Sequence, residues 1–115
     1  MLRVGNLERS LKFYTEVLGM RLLRKREFPE GKFTLAFVGY GDEENNAVLE
    51  LTYNWDPEVY TGGRNFGHLA YAVDDIYATC QRLKDAGVVI NRPPRDGRMA
   101  FVRSPDNISI ELLQQ

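Results

Sequence analysis

Apolar residues recur along this chain with two alternating periods, and the same succession of periods occurs twice. Met1 to Val4 is a short strand-like run that leads directly into a helical pattern. Aligning Val4-Gly5-Asn6-Leu7 with Val73-Asp74-Asp75-Ile76 sets the copies 69 residues apart. Asn6 and Asp75 then both fall where an N-cap belongs, with a short side chain able to accept from free helix amides. Leu7, Leu11, Tyr14, Val17 and Leu18 form an apolar stripe at helical spacing. Ile76, Cys80, Leu83 and the stem of Lys84 form a shorter stripe in the second copy. Gly19 and Gly87 end the two helices, where a left-handed residue is needed.

Three runs with strand character follow each helix. In the first copy they are Met20–Phe28, Lys32–Tyr40 and Ala47–Tyr53, divided by turns at Pro29-Glu30-Gly31 and Gly41-Asp42-Glu43. In the second they are Val88–Asn91, Met99–Arg103 and Ile108–Leu113, divided by Pro93–Gly97 and Ser104–Asn107. Each copy therefore reads β-α-β-β-β. Residues 1–53 make the first module, 54–66 the connection and 67–115 the second, all within one domain. A helix covers one face of each four-stranded sheet. The expected fold is α+β, with two βαβββ modules forming curved sheets around a cupped site, between the copies or between subunits.

Composition narrows the functional classes. The 115 residues carry 15 Lys and Arg against 16 Asp and Glu, a formal net charge of −1. That balance offers no electrostatic case for nucleic acid or an anionic membrane as a partner. The single cysteine, Cys80, excludes an internal disulfide, and a reducing cytoplasm is the expected location. No apolar run is long enough to span a bilayer, and Arg3, Glu8 and Arg9 break any signal-peptide pattern.

Three polar residues sit inside apolar strand runs: Glu50 in AVLELTY, Glu111 in ISIELLQ and His68 in GHLAYAV. Strand alternation puts Glu50 with Val48 and Thr52, opposite Leu49 and Leu51. It puts Glu111 with Ser109 and Leu113, and His68 with Ala70 and Ala72. A carboxylate in an apolar strand must be solvated, paired or bound to a metal. Two glutamates at matching positions, with the only histidine on the neighbouring strand, form a mixed N and O ligand pattern for a divalent metal. The repeat places the first copy's equivalent of His68 two residues ahead of Met1. The first copy's own ligand is expected there, so Met1 is not the expected start of the functional protein.

The runs MLRVGNLERSLKFYTEVLGM, TLAFVGYG, ELTYNW, RNFGHLAYAVDD and SPDNISIELLQ together resemble the glyoxalase I (lactoylglutathione lyase) family of the vicinal-oxygen-chelate superfamily. The resemblance covers essentially the whole chain. It implies a homodimer with metal sites between subunits, using Glu50 of one chain with His68 and Glu111 of the other. The family's first ligand lies in a His-Thr-Met-Leu-Arg-Val run, two residues ahead of Met1. The resemblance implies Ni or Co in preference to Zn, glutathione as co-substrate, and a glutathione site at Arg3, Asn54, Arg64, Arg98 and Met99. Guanidinium groups and an amide suit a ligand with two carboxylates and an amine. The implied reaction isomerises the hemithioacetal of methylglyoxal and glutathione to S-lactoylglutathione, with Glu111 as the base and Glu50 acting on the opposite face or as a ligand only. The loop before Ala100-Phe101-Val102 is shorter than in longer relatives. Asn107 stands where the family usually has glycine, and asparagine tolerates the left-handed turn needed there. Two alternatives remain: another enzyme of the superfamily, such as a metal-dependent thiol transferase, or a non-catalytic small-molecule binding module. A ring-cleaving dioxygenase would need two histidines and a carboxylate, and one histidine is present.

Overall fold

The computed structural model describes residues 1–63 and 66–115. They form two compact units, Met1–Tyr60 and Thr61–Gln115. In the first, strand β1 (Leu2–Arg3) leads into helix α1 (Leu7–Lys12), which continues as a π-helical turn over Phe13–Val17. Strands β2 (Arg21–Phe28), β3 (Phe33–Gly39) and β4 (Leu49–Asn54) follow, in the sheet order β1-β4-β3-β2. The second unit runs β5 (Leu69–Val73), α2 (Ile76–Asp85), β6 (Ile90–Arg92), β7 (Met99–Arg103) and β8 (Ser109–Gln114), in the order β5-β8-β7-β6. In each sheet the first strand lies parallel to the last and the other pairings are antiparallel. Both units are thus βαβββ modules.

The repeat in the sequence is a repeat in register. Leu2 pairs with Leu51, and Tyr71, 69 positions after Leu2, pairs with Leu112. The caps match as well. Asn6 has extended backbone (φ −145°) and accepts from the Arg9 amide at 2.9 Å. Asp75 (φ −142°) accepts from the Ala78 amide at 2.9 Å. At the other end of α2, Gly87 takes φ 82°, its N–H bonds the Lys84 carbonyl, and the Val88 N–H bonds the Leu83 carbonyl. This is a Schellman closure, for which glycine is suited because it has no Cβ to clash.

The first helix has one more residue between cap and glycine than the second. The π-helical turn absorbs it: the Leu18 N–H reaches back to Phe13 and the Met20 N–H to Tyr14. These closures also set where the next strands start. The Met20 and Val88 amides are used by the helix ends, so β2 begins at Arg21 and β6 at Ile90, later than the apolar pattern suggested. The start of β4 is likewise delayed to Leu49, after a loop in which the Asp42 carboxylate accepts from Asn45 N–H and the Asp42 carbonyl from Asn46 N–H. Asn54 pairs with Phe33 and so closes β4 rather than opening the connection. Asn107 adopts φ 68°, as a tight turn before β8 requires.

Each helix covers one face of its own sheet. Leu7, Ser10, Phe13, Tyr14 and Val17 are buried with Ala36, Val38 and Leu51 in the first unit. Ile76, Thr79, Cys80 and Leu83 are buried with Ala100, Val102, Ile110 and Leu112 in the second. Full burial of an aliphatic side chain contributes about 1.5–3 kcal/mol. Lys84, expected at the stripe's margin, is exposed, and Thr79 takes that place. Its hydroxyl donates to the Asp75 carbonyl at 2.9 Å, which makes a buried polar group tolerable. Leu11, expected within the first stripe, is only half-buried.

Candidate functional site

Strand β8 alternates cleanly. Ile110 and Leu112 are fully buried under α2, while Ser109 and Glu111 point to the other face. Glu111 is largely shielded there, its side chain retaining 14% exposure. Its partner is His68, one residue ahead of β5, whose Nε2 lies 3.0 Å from Glu111 Oε2. The parallel register, with Leu69 beside Ile110 and Ala70 beside Glu111, brings the histidine alongside the carboxylate. Ala70 and Ala72 are exposed on the same face and leave it uncrowded. Phe101 of β7 is the direct cross-strand partner of Glu111 and meets the His68 ring edge to face, with centroids 5.4 Å apart and planes at 85°.

The first unit carries a counterpart. Glu50 of β4 is half-buried and pairs across the strands with Phe37 of β3. Phe37 in turn pairs with Arg24 of β2, and Arg92 of β6 pairs with Phe101. Each sheet therefore has a three-strand row: Arg24–Phe37–Glu50 in the first, Arg92–Phe101–Glu111 in the second. Both rows depend on an irregularity in the register immediately before the arginine, between Leu22 and Arg24 and between Ile90 and Arg92. An extra residue at such a bulge re-aims the side chains that follow it. The Arg24 guanidinium lies over the Phe37 ring at 3.6 Å, and its Nε donates to both oxygens of Glu43 at 2.9 and 3.1 Å. Polarity in an apolar strand marks the glutamates and His68 but not the two phenylalanines. The signal was available in the sequence, where Ala-Phe-Val occurs at Ala36–Val38 and again at Ala100–Val102.

The residues expected to meet glutathione are spread over both units. Arg3 ends β1, exposed, beside Thr52. Asn54 ends β4, with its side-chain amide 3.4 Å from the Tyr60 hydroxyl. Arg64 lies outside the described residues. Arg98 is exposed in the turn before β7, and its backbone amide donates to Asp96 Oδ1 at 2.9 Å. That bond is the main cause holding the Asp96 carboxyl below its usual range. Met99 opens β7, half-buried, and its sulfur accepts from Arg92 Nη1.

Among the described residues, no three His, Cys, Asp or Glu side chains form a cluster that could hold a metal ion. His68 and Glu111 still fit such an ion as a pair of ligands. They offer one imidazole nitrogen and one carboxylate oxygen, and their 3.0 Å separation matches neighbouring ligands on an ion with bonds of about 2.1 Å. Among the described residues, no helix is long and apolar enough to cross a membrane.

Comparison with known proteins gives a consistent answer. The family model for the Glyoxalase/Bleomycin resistance protein/Dioxygenase superfamily matches residues 1–112. A lactoylglutathione lyase of Neisseria meningitidis is 55% identical over 120 aligned residues, covering 100% of this chain and 87% of that protein. A probable lactoylglutathione lyase of Synechocystis is 51% identical, covering 99% of this chain and 91% of that protein. Among solved structures, the trypanothione-dependent glyoxalase I of Leishmania major superposes with a TM-score of 0.94 at 47% identity, covering 99% of this chain and 82% of that one.

Proposed function

The chain belongs to the Glyoxalase/Bleomycin resistance protein/Dioxygenase superfamily, and from that premise we propose that it is a lactoylglutathione lyase. Its substrate is the hemithioacetal of methylglyoxal and glutathione, and its product is S-lactoylglutathione. The observation that carries this reading is identity above half, over nearly the whole chain, with proteins bearing that name. The His68–Glu111 pair supports it, because it supplies adjacent N and O donors on a sheet face where Ala70 and Ala72 are small and exposed.

The reaction is an isomerisation, so nothing is consumed. A proton leaves C1, the carbon bearing sulfur and hydroxyl, and a proton arrives at C2, the former ketone carbon. Glu111 is the base. Its carboxylate takes the C1 proton. Glu50 works from the opposite face of the substrate or serves as a ligand only. A divalent metal held by Glu50, His68 and Glu111 would polarise the substrate's oxygens. Nickel or cobalt suits a site of mixed imidazole and carboxylate ligands better than zinc, which favours four ligands in closed sites.

The site is shared in a homodimer, Glu50 coming from one subunit and His68 and Glu111 from the other. Arg3, Asn54, Arg64, Arg98 and Met99 hold the glutathione portion. A cytoplasmic location suits a chain with a single, reduced cysteine. The test is direct: the protein is incubated with Ni²⁺, methylglyoxal and glutathione. S-lactoylglutathione should accumulate in proportion to enzyme. Its absence from metal-loaded dimer would overturn the assignment.

A further inference from the structure

We infer that Phe101 is a positioning residue: its ring fixes the plane of the His68 imidazole so that Nε2 stays aimed at the place where a divalent ion and Glu111 meet. The inference rests on the metal-site reading above. The hydrogen bond from His68 to Glu111 fixes one point of the imidazole, its Nε2, at 3.0 Å. One point does not fix a plane, and the ring can still rock about it. His68 precedes β5 and its side chain is 42% exposed, so neither the strand ladder nor close packing holds it. Among the described residues, the aromatic contact on the ring is Phe101, whose plane meets it at 85° with centroids 5.4 Å apart.

That is the edge-to-face arrangement aromatic rings prefer. Phe101 can impose it because its own place is fixed twice. It is the central residue of a three-strand row, paired with Arg92 on one side and Glu111 on the other, and flanked in sequence by fully buried Ala100 and Val102. One side chain thus touches the histidine and faces its carboxylate partner across the sheet. In the first unit the same row position is held by Phe37, whose ring face carries Arg24 instead. The phenylalanine is common to both rows, and the histidine contact belongs to Phe101.

The experiment uses Phe101→Leu, Phe101→Tyr and Phe37→Leu in the full chain. His68 is the only histidine, so its imidazole C–H signals are unambiguous in NMR. In metal-free protein, Phe101→Leu should lower the order parameter of the His68 ring, while Phe101→Tyr and Phe37→Leu leave it at the wild-type value. Ni²⁺ affinity should fall about 3- to 10-fold in Phe101→Leu, the size of one aromatic contact, and recover in Phe101→Tyr. Unchanged ring order and affinity in Phe101→Leu overturn the positioning role, as does an equal loss of ring order in Phe37→Leu. Wild-type protein that binds no divalent ion overturns the metal site itself, and with it the purpose assigned to Phe101.

Discussion

Phe101 stands directly opposite Glu111 across β7 and β8. The pairing puts an apolar ring beside the one carboxylate on that strand and leaves His68 as that carboxylate's partner. Glu111 is therefore flanked by the Phe101 ring on one side and paired with His68 on the other.

Glu111→Gln keeps the size of the side chain and an oxygen that can accept from His68. It removes the carboxylate proposed to take the C1 proton. Turnover of the hemithioacetal should fall by about 10²- to 10⁴-fold, the usual contribution of a general base. Steady-state kinetics at matched metal content, with metal measured separately, distinguishes loss of the base from loss of the ion.

Adding Ni²⁺ to the protein should raise its melting temperature, because an ion that binds only the folded state stabilises it by mass action. At a free concentration 100 times the dissociation constant the gain is about 2.7 kcal/mol. His68→Ala should remove most of this increment; the metal-free melting temperature, measured alongside, gives the separate effect of losing the Glu111 hydrogen bond. Calorimetry with and without a chelator measures both.

Asn6 and Asp75 make equivalent caps, each accepting from the amide three residues on at 2.9 Å. Asn6→Ala and Asp75→Ala should each destabilise the chain by about 1 kcal/mol. Denaturant titration gives the comparison. Asp75 has a second link, since its carbonyl also accepts from the Thr79 hydroxyl, but that bond survives the substitution. Near-equal losses are therefore expected.

Asp96 titrates below the ordinary carboxylate value, chiefly because the Arg98 backbone amide donates to it. A group with a folded pKa below its unfolded one stabilises the fold above the unfolded value, about 3.9, and that contribution disappears as pH falls through the folded value. Asp42 behaves alike, its first cause being the Asn45 backbone amide. Asp42→Asn with Asp96→Asn should flatten the decline in stability below about pH 4 and leave the neutral region's pH dependence unchanged. Melting temperatures measured across pH 2 to 7 check this; an unaltered acid decline would contradict it.

The local chemistry of the fold is legible in the residues themselves. The caps at Asn6 and Asp75, the left-handed closures at Gly19 and Gly87, the turn at Asn107 and the alternation around Glu50 and Glu111 each depend on neighbours a few positions away. The duplicated pattern also aligned the two modules, because the same interactions recur in the same order. What the residues could not reveal was which atoms the ladders bring together. A helix end that consumes the Met20 and Val88 amides moves two strand starts. One extra residue in the first helix becomes a π-helical turn, and a bulge before Arg24 and Arg92 aligns each arginine with a phenylalanine and a glutamate. Shifting register by one residue moves every side chain to the other face, so these rows exist only once the sheets are paired. The tertiary structure decided that Phe101 meets His68 and Glu111, because that contact joins three strands whose separations along the chain carry no local signal.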